Sequence, residues 1–407
     1  MPSYISGLEC RTCRTTYPAD QLIGVCPKCG QALLATYDLD RLRARGSPGE
    51  WRSRPGGLWR YRELMPVVRE DGPLSLGEGE TPTLRLASDD EDLGLDLWAK
   101  NDGGLPTGTF KAREMSVAIS RAVELGARSV FLPSTGNAGV AAAAYAARAG
   151  IEAHVYLTDA SSPEIGAACR AFGAEVRTVR GTMSDARRAA LEQEPGRGGV
   201  DLSTMREPYR LEGTKSMAFE LFDRFGPEGL PDAVVYPTGG GLGLVGMYKG
   251  FTELRALGWL EKVPRFFAVQ TAECAPIVRA LREDLPRADP WTGPVAFAGG
   301  LTVPAPFGSE RVLEAVRGSG GSGIAVPVSE IRATERRIVR TSGLLTGVEG
   351  AAPFAALPHL VRERRIRPRE RVLLYLTGSG LPLSLARLSR EDAPVPALRA
   401  REGAETP

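Results

Sequence analysis

Histidine is nearly missing from this 407-residue chain, with His154 and His359 the only two. That scarcity argues against a histidine-rich metal centre and leaves little for a Ser-His-Asp hydrolase. His154 lies in the apolar run "IEAHVYL" and His359 in a helix-like stretch, so both read as structural. An excess of one charge is lacking too: 51 Lys and Arg face 49 Asp and Glu, a net charge of +2. Such a balance steers the chain neither to nucleic acid nor to an anionic membrane, and neither is expected as a partner. There is no run of about 18 apolar residues, which argues against a transmembrane helix. The opening "MPSYISGLECRTC" has no basic segment followed by an apolar stretch. No secretory signal is therefore expected, and the expected compartment is the cytoplasm. Internal repeats and long low-complexity linkers are also lacking.

What is present begins with length. A chain this long implies two or three domains, and 43% hydrophobic with 25% charged residues is ordinary for a globular protein. Cys10, Cys13, Cys26 and Cys29 form two C-x2-C pairs separated by twelve residues. Two short chelate loops of this kind place four thiolates tetrahedrally around Zn²⁺, and a site with all four positions filled is structural. The alternative, two disulfides, fits poorly without a secretory signal. Cys169 and Cys274 are isolated and read as small buried hydrophobes.

From about residue 95 strands alternate with helices. "RSVFLPS" reads as a buried strand, "NAGVAAAAYAARAG" as a helix ending at glycine, and "IEAHVYLTD" as the next strand. "AEVRTVRG", "DAVVYPTGGG", "RFFAVQT", "GIAVPVS" and "RVLLYLTGSG" continue the series, with helical stretches between them. "SDARRAALEQE" reads as a helix opening on Ser or Asp. The fold class expected is α/β with mostly parallel sheets covered on both faces.

In such sheets ligands gather at the carboxyl ends of strands. Four segments fall there or at a helix start: "TGTFK", "PSTGNAG", "PTGGGLG" and "LTGSG". In the third, Gly239, Gly240, Gly241 and Gly243 let backbone N–H groups converge on an anion at a helix N-terminus; the alternative is a tight turn needing glycine only for geometry. Its spacing matches neither a Walker loop nor the dinucleotide fingerprint. Ser134, Thr135 and Asn137 form a small nest of donors, or an ordinary helix cap. Thr377 and Ser379 offer neutral hydroxyls beside glycines that admit a flat ring. Lys111 is either a solvated charge at the start of a helix or an amine of lowered pKa that attacks an aldehyde. Phosphate cradle, Asn, Lys and neutral hydroxyl together are what pyridoxal 5′-phosphate requires.

With these motifs the chain resembles the fold-type II pyridoxal-phosphate enzymes, most closely the threonine synthase family. The resemblance spans nearly all of residues 8–382 and rests on the four-cysteine ribbon, "GEGETPTLRL", "KNDGGLPTGTFKAR", "PSTGNAGVAAAAYAARAG", "STMREPYRLEGTKSMAFEL", "PTGGGLGLVGMYKGF", "VEGAA" and "LTGSG". It implies a zinc ribbon (1–40), a large cofactor-binding domain (41–115 and 203–390), a small α/β domain (116–202) and a flexible tail (391–407). Both larger domains would be doubly wound, and the enzyme a homodimer. Lys111 would form the Schiff base with the cofactor, with Phe110 packing nearby and Asn137 on the 3′-oxygen. Thr238, Gly239, Gly240, Gly241, Leu242 and Gly243 would hold the cofactor phosphate, and Thr377 would face the ring nitrogen. Ser134, Thr135 and Gly136 would receive the substrate carboxylate.

The reaction implied converts O-phospho-L-homoserine and water to L-threonine and phosphate, by γ-elimination and then β-hydration. It needs a second anion pocket, for which "EPYRLEGTK" offers Arg210 and Lys215, with Ser203 and Thr204 beside them. Alternatively Arg210 and Lys215 pair with Glu207 and Glu212 on the surface. Some positions depart from the family pattern. Ala112 and Glu114 stand where Asp and Gly are common, and Glu114 either contacts Arg113 or faces solvent. Val348 replaces a proline before Glu349, and Leu381-Pro382 replaces Lys-Tyr. The alternative activity is a threonine or serine dehydratase, or a β-replacement enzyme acting on another amino acid.

Overall fold

The computed structural model describes residues 3–86, 93–134, 136–194, 198–296 and 298–380. Thr135, Leu381-Pro382 and the tail 391–407 lie outside the described residues. Thirteen strands are described: β1 (Ile5–Cys10), β2 (Thr16–Tyr17), β3 (Leu33–Tyr37), β4 (Thr83–Arg85), β5 (Asp96–Asn101), β6 (Ser129–Pro133), β7 (Glu152–Thr158), β8 (Glu175–Val179), β9 (Val200–Asp201), β10 (Ala233–Pro237), β11 (Arg265–Thr271), β12 (Ser322–Val326) and β13 (Arg371–Leu376). They make three sheets, ordered β2-β1-β3, β12-β11-β10-β13-β5-β4 and β8-β7-β6-β9.

The six-stranded sheet is parallel except for β4, which runs antiparallel to β5 at its edge. The four-stranded sheet is wholly parallel. β10 and β13 are buried at nearly every position, as expected of central strands covered by helices on both faces. The alanine-rich helix Asn137–Ala149 ends at Gly150, whose φ of 67° lets its N–H close on the carbonyls of Ala146 and Ala147. The helix Met183–Gln193 starts one residue earlier than its Ser or Asp suggested: Thr182 caps it and Asp185 answers with a capping box.

The antiparallel ribbon β2-β1-β3 is not a separate bead. Leu8, Cys10, Cys26, Leu33 and Ala35 share one apolar cluster with Met115 and Ile119 of the helix Lys111–Glu124 and with Tyr209. The Ala19 carbonyl accepts from Arg121 at 2.7 Å and from the Tyr209 hydroxyl at 3.1 Å. The ribbon thus braces both the helix that carries Lys111 and the segment leading to Arg210. Both histidines are structural: His154 is held by Glu194 at 2.9 Å and His359 by Glu330 at 2.7 Å.

Candidate active site

The turn before Lys111 is stapled to the end of β13. Phe110 N–H donates to the Thr377 carbonyl at 2.9 Å, Ser379 N–H to the Gly108 carbonyl at 3.0 Å, and Thr109 bridges to Gly378. "TGTFK" and "LTGSG" therefore form one structure. The Lys111 amine lies 4.2 Å over the Phe110 ring and 2.8 Å from Glu114 Oε1. Its side chain is 21% exposed, whereas Glu114 is fully buried, so of the pair only Lys111 is reached from outside. Burial and the nearby Arg210 cation push the Lys111 pKa below its ordinary value, against the pull of Glu114.

Glu114 neither contacts Arg113 nor faces solvent. Its second oxygen accepts from Arg210 Nε at 2.9 Å and Nη2 at 2.5 Å, and Arg210 also donates to the Leu202 carbonyl. Burial alone would raise the Glu114 pKa, but Lys111 and Arg210 outweigh it and hold the carboxyl below its usual range. Glu207 accepts the N–H groups of Tyr209 and Arg210, each at 2.7 Å, and so closes the turn that presents Arg210. Arg210 thus pairs with Glu114 rather than Glu207, in the interior rather than on the surface. Lys215 does pair with Glu212, but it too is fully buried. It lies 2.7 Å from both Glu212 and Glu253, with its ammonium 3.9 Å from the centre of the Tyr37 ring.

Below Lys111 the next cation turns inward. Arg113 is fully buried and donates to Asp102 (2.9 Å), Ser216 (2.8 Å), Thr81 (3.0 Å) and Glu220. Lys100 adds a 2.7 Å contact to Glu220, and Tyr375 one of 2.7 Å to Asp102. Two cations and two carboxylates thus balance in the core. They tie β5, β13 and the helix Ser216–Phe225 to the base of the Lys111 helix. Sequence reasoning passed over this network; its signal was polar residues in "GET", "KND" and "SMAFE" set among apolar ones.

The glycine turn joins β10 to the helix Leu242–Ala256. Gly241 has φ 79°, a conformation that favours glycine, and the helix begins without a side-chain cap. Its leading N–H groups are left for an outside acceptor. A methyl at Gly243 would overlap the Tyr236 hydroxyl and sit 2.9 Å from the Phe110 ring, so this turn lies directly against the residue before Lys111. Thr238 spends its hydroxyl on the Tyr236 carbonyl at 2.9 Å. At the third segment the Ser134 hydroxyl accepts from Gly136 N–H (3.2 Å) and Gly139 N–H (3.0 Å), and Asn137 opens the helix. That helix packs on the Lys111 helix and on the Pro106–Gly108 turn. Glu349 also belongs here: it accepts from Gly300 N–H at 2.8 Å, and its charge reaches Lys111.

An uncapped helix N-terminus behind a glycine turn, an amine of lowered pKa beside it and an aromatic wall between them fit a phosphorylated aldehyde cofactor. A model of the pyridoxal-phosphate dependent enzymes matches residues 74–378. The chain belongs to that family. It is 33% identical to the threonine synthase of Methanocaldococcus jannaschii, over 95% of each chain. It is also 33% identical to that of Methanosarcina acetivorans, over 91% of each. Among solved structures it is similar to the processed form of threonine deaminase isoform 2 from Solanum lycopersicum. There the TM-score is 0.66, with 18% identity over 83% of this chain and 95% of the other, a likeness of fold.

The four ribbon cysteines are unpaired, so the two-disulfide alternative is not what the structure holds; Cys169 and Cys274, outside the ribbon, are free and buried. The sulfurs of Cys10, Cys13, Cys26 and Cys29 all lie within 4.8 Å of one another. Cys10–Cys29 and Cys13–Cys26 are 3.4 and 3.6 Å apart. A tetrahedron of sulfurs about 2.3 Å from zinc would have edges of about 3.8 Å.

Proposed function

We propose that this chain is a lyase that converts O-phospho-L-homoserine and water to L-threonine and phosphate, with pyridoxal 5′-phosphate as cofactor and Zn²⁺ in the ribbon. The reading is supported by the glycine turn and the end of β13 meeting at Phe110, beside Lys111, and by the helix Asn137–Ala149 packing on the Lys111 helix, in a chain 33% identical to a threonine synthase over 95% of each chain.

Bound there, the cofactor supplies an aldehyde for an amine and an electron sink for charge developing on the substrate carbons. The amides of Gly239, Gly240, Gly241, Leu242 and Gly243 bind its phosphate, helped by the helix dipole. Asn137 would donate to its phenolic oxygen, and the Thr377 hydroxyl would face its ring nitrogen, a neutral partner that does not force a proton onto it. Ser134, Thr135 and Gly136 bind the substrate carboxylate. Lys111 would remove the Cα proton and carry a proton at Cβ. Phosphate leaves from Cγ and water adds at Cβ. Glu114 keeps the freed Lys111 amine within reach of those carbons, since a lysine stem released into solvent would sample many rotamers.

Borohydride reduction of the yellow protein followed by peptide mass analysis should locate the cofactor on Lys111. O-phosphohomoserine should yield threonine and phosphate in equal amounts. 2-Oxobutyrate from threonine instead would favour the dehydratase reading, and a colourless protein that traps no cofactor would end both.

A further inference from the structure

Two guanidiniums and one carboxylate meet at the start of the 203–209 segment. Arg187, on the helix Met183–Gln193, donates to Asp201 at 2.6 Å and to the Ser203 hydroxyl at 3.0 Å. Asp201 accepts in addition from Ser203 N–H at 2.9 Å and from the Ser203 hydroxyl. Arg206 forms no ion pair or side-chain hydrogen bond among the described residues; its guanidinium stacks 3.8 Å from the centre of the Phe307 ring. One positive charge is therefore left uncompensated in this cluster. Burial and the neighbouring Arg187 push the Arg206 pKa below its ordinary value, as they must for a cation without a counter-ion.

The cluster adjoins the glycine turn. The Thr204 methyl would be 3.3 Å from a Cβ placed on Gly240, and Met205 packs within 3.1 Å of one placed on Gly308, next to Phe307. The two cations expected to meet the substrate's phosphate are already neutralised, Arg210 by Glu114 and Lys215 by Glu212 and Glu253. Dislodging Glu114 from Arg210 would strand a buried carboxylate, a costly exchange. A guanidinium stacked on an aromatic face keeps its N–H edge free to fork onto an oxyanion.

We propose that Arg206, together with the Thr204 hydroxyl, receives the phosphate of the substrate in place of Arg210, while Asp201 occupies Arg187 and the Ser203 hydroxyl; this rests on the phosphohomoserine reading above. The net positive charge and the Thr204 hydroxyl suit a tetrahedral phosphomonoester. Glu114, in this chain, has moved the anion site four residues back along the segment.

The test titrates inorganic phosphate into the holoenzyme by calorimetry, for wild type, Arg206→Met and Arg206→Lys. Methionine keeps an apolar stem over Phe307 and removes only the charge; cofactor absorbance and circular dichroism check that the fold is retained. Arg206→Met should weaken phosphate binding about tenfold or more, with Arg206→Lys in between. With O-phosphohomoserine, KM should rise in Arg206→Met far more than kcat falls. Unchanged phosphate affinity in Arg206→Met, or no measurable uptake by the wild type, would overturn the proposal. The two readings fail separately. Phosphate held through Arg206 without threonine production removes the reaction and keeps the site. Normal threonine production with no response to Arg206→Met removes the site and keeps the reaction.

Discussion

Glu207 offers a direct test of how burial and charge are balanced around Arg210. Its carboxyl is 5% exposed and accepts two backbone N–H groups, at 2.7 Å each. Burial nevertheless dominates and raises its pKa from 4.5 to about 7, with Arg210 and the two N–H groups pulling the other way. Below pH 4.5 the group is protonated in the folded and unfolded chains alike. Between 4.5 and 7 the unfolded chain loses its proton while the folded one keeps it, so stability falls as pH rises. Above 7 the full penalty is present, about 3 kcal/mol for that difference in pKa. With an unfolding entropy scaled to this length, that is about 4 °C in Tm. Glu207→Gln removes the charge. It also loses one of the two acceptors, a constant cost that shifts the curve without tilting it. Thermal midpoints of wild type and Glu207→Gln, measured from pH 5 to pH 8 in one buffer series, should diverge in slope: part of the penalty is already present at pH 5, so the variant gains on the wild type by about 3 °C across the window. A midpoint difference that stays level over that range would refute the reasoning.

Arg113→Met leaves Asp102 and Glu220 in the core with Lys100 as their remaining cation, and should cost about 3–5 kcal/mol, or roughly 4–6 °C in Tm. A variant as stable as the wild type would show that the network is not held by charge. Metal analysis should find one zinc per chain, and a strong chelator or Cys13→Ser should lower Tm and quench cofactor uptake, because the ribbon braces Arg121 and Tyr209 through Ala19. Purified protein free of metal but fully folded would contradict that role.

The local motifs were legible because short-range geometry writes them. A Gly at C′ and four cysteines at chelate spacing each declare themselves within a few residues, whereas the equally local Thr182–Asp185 box was passed over for Ser184 or Asp185. Strand–helix alternation likewise announced parallel sheets, and the six- and four-stranded sheets follow it, apart from antiparallel β4 at the edge. Charged side chains were less readable. Glu114 had two expected fates and met neither. Lys215 found its expected partner Glu212 in the core rather than on the surface.

By itself, then, the amino-acid order marked out the residues proposed to hold the cofactor: the lysine after Phe110, the glycine turn before a helix, the Asn that opens another. Backbone sterics and hydrogen bonding act between near neighbours, so those features needed no knowledge of distant segments. Tertiary structure alone decided which cations are spent and which are open. Arg210 meets Glu114 from 96 residues away, Arg113 meets Glu220 from 107, and Arg206 pairs with no carboxylate among the described residues. Long side chains choose partners from whatever packing brings within reach, and in a buried site of low dielectric that choice sets where an anion can bind.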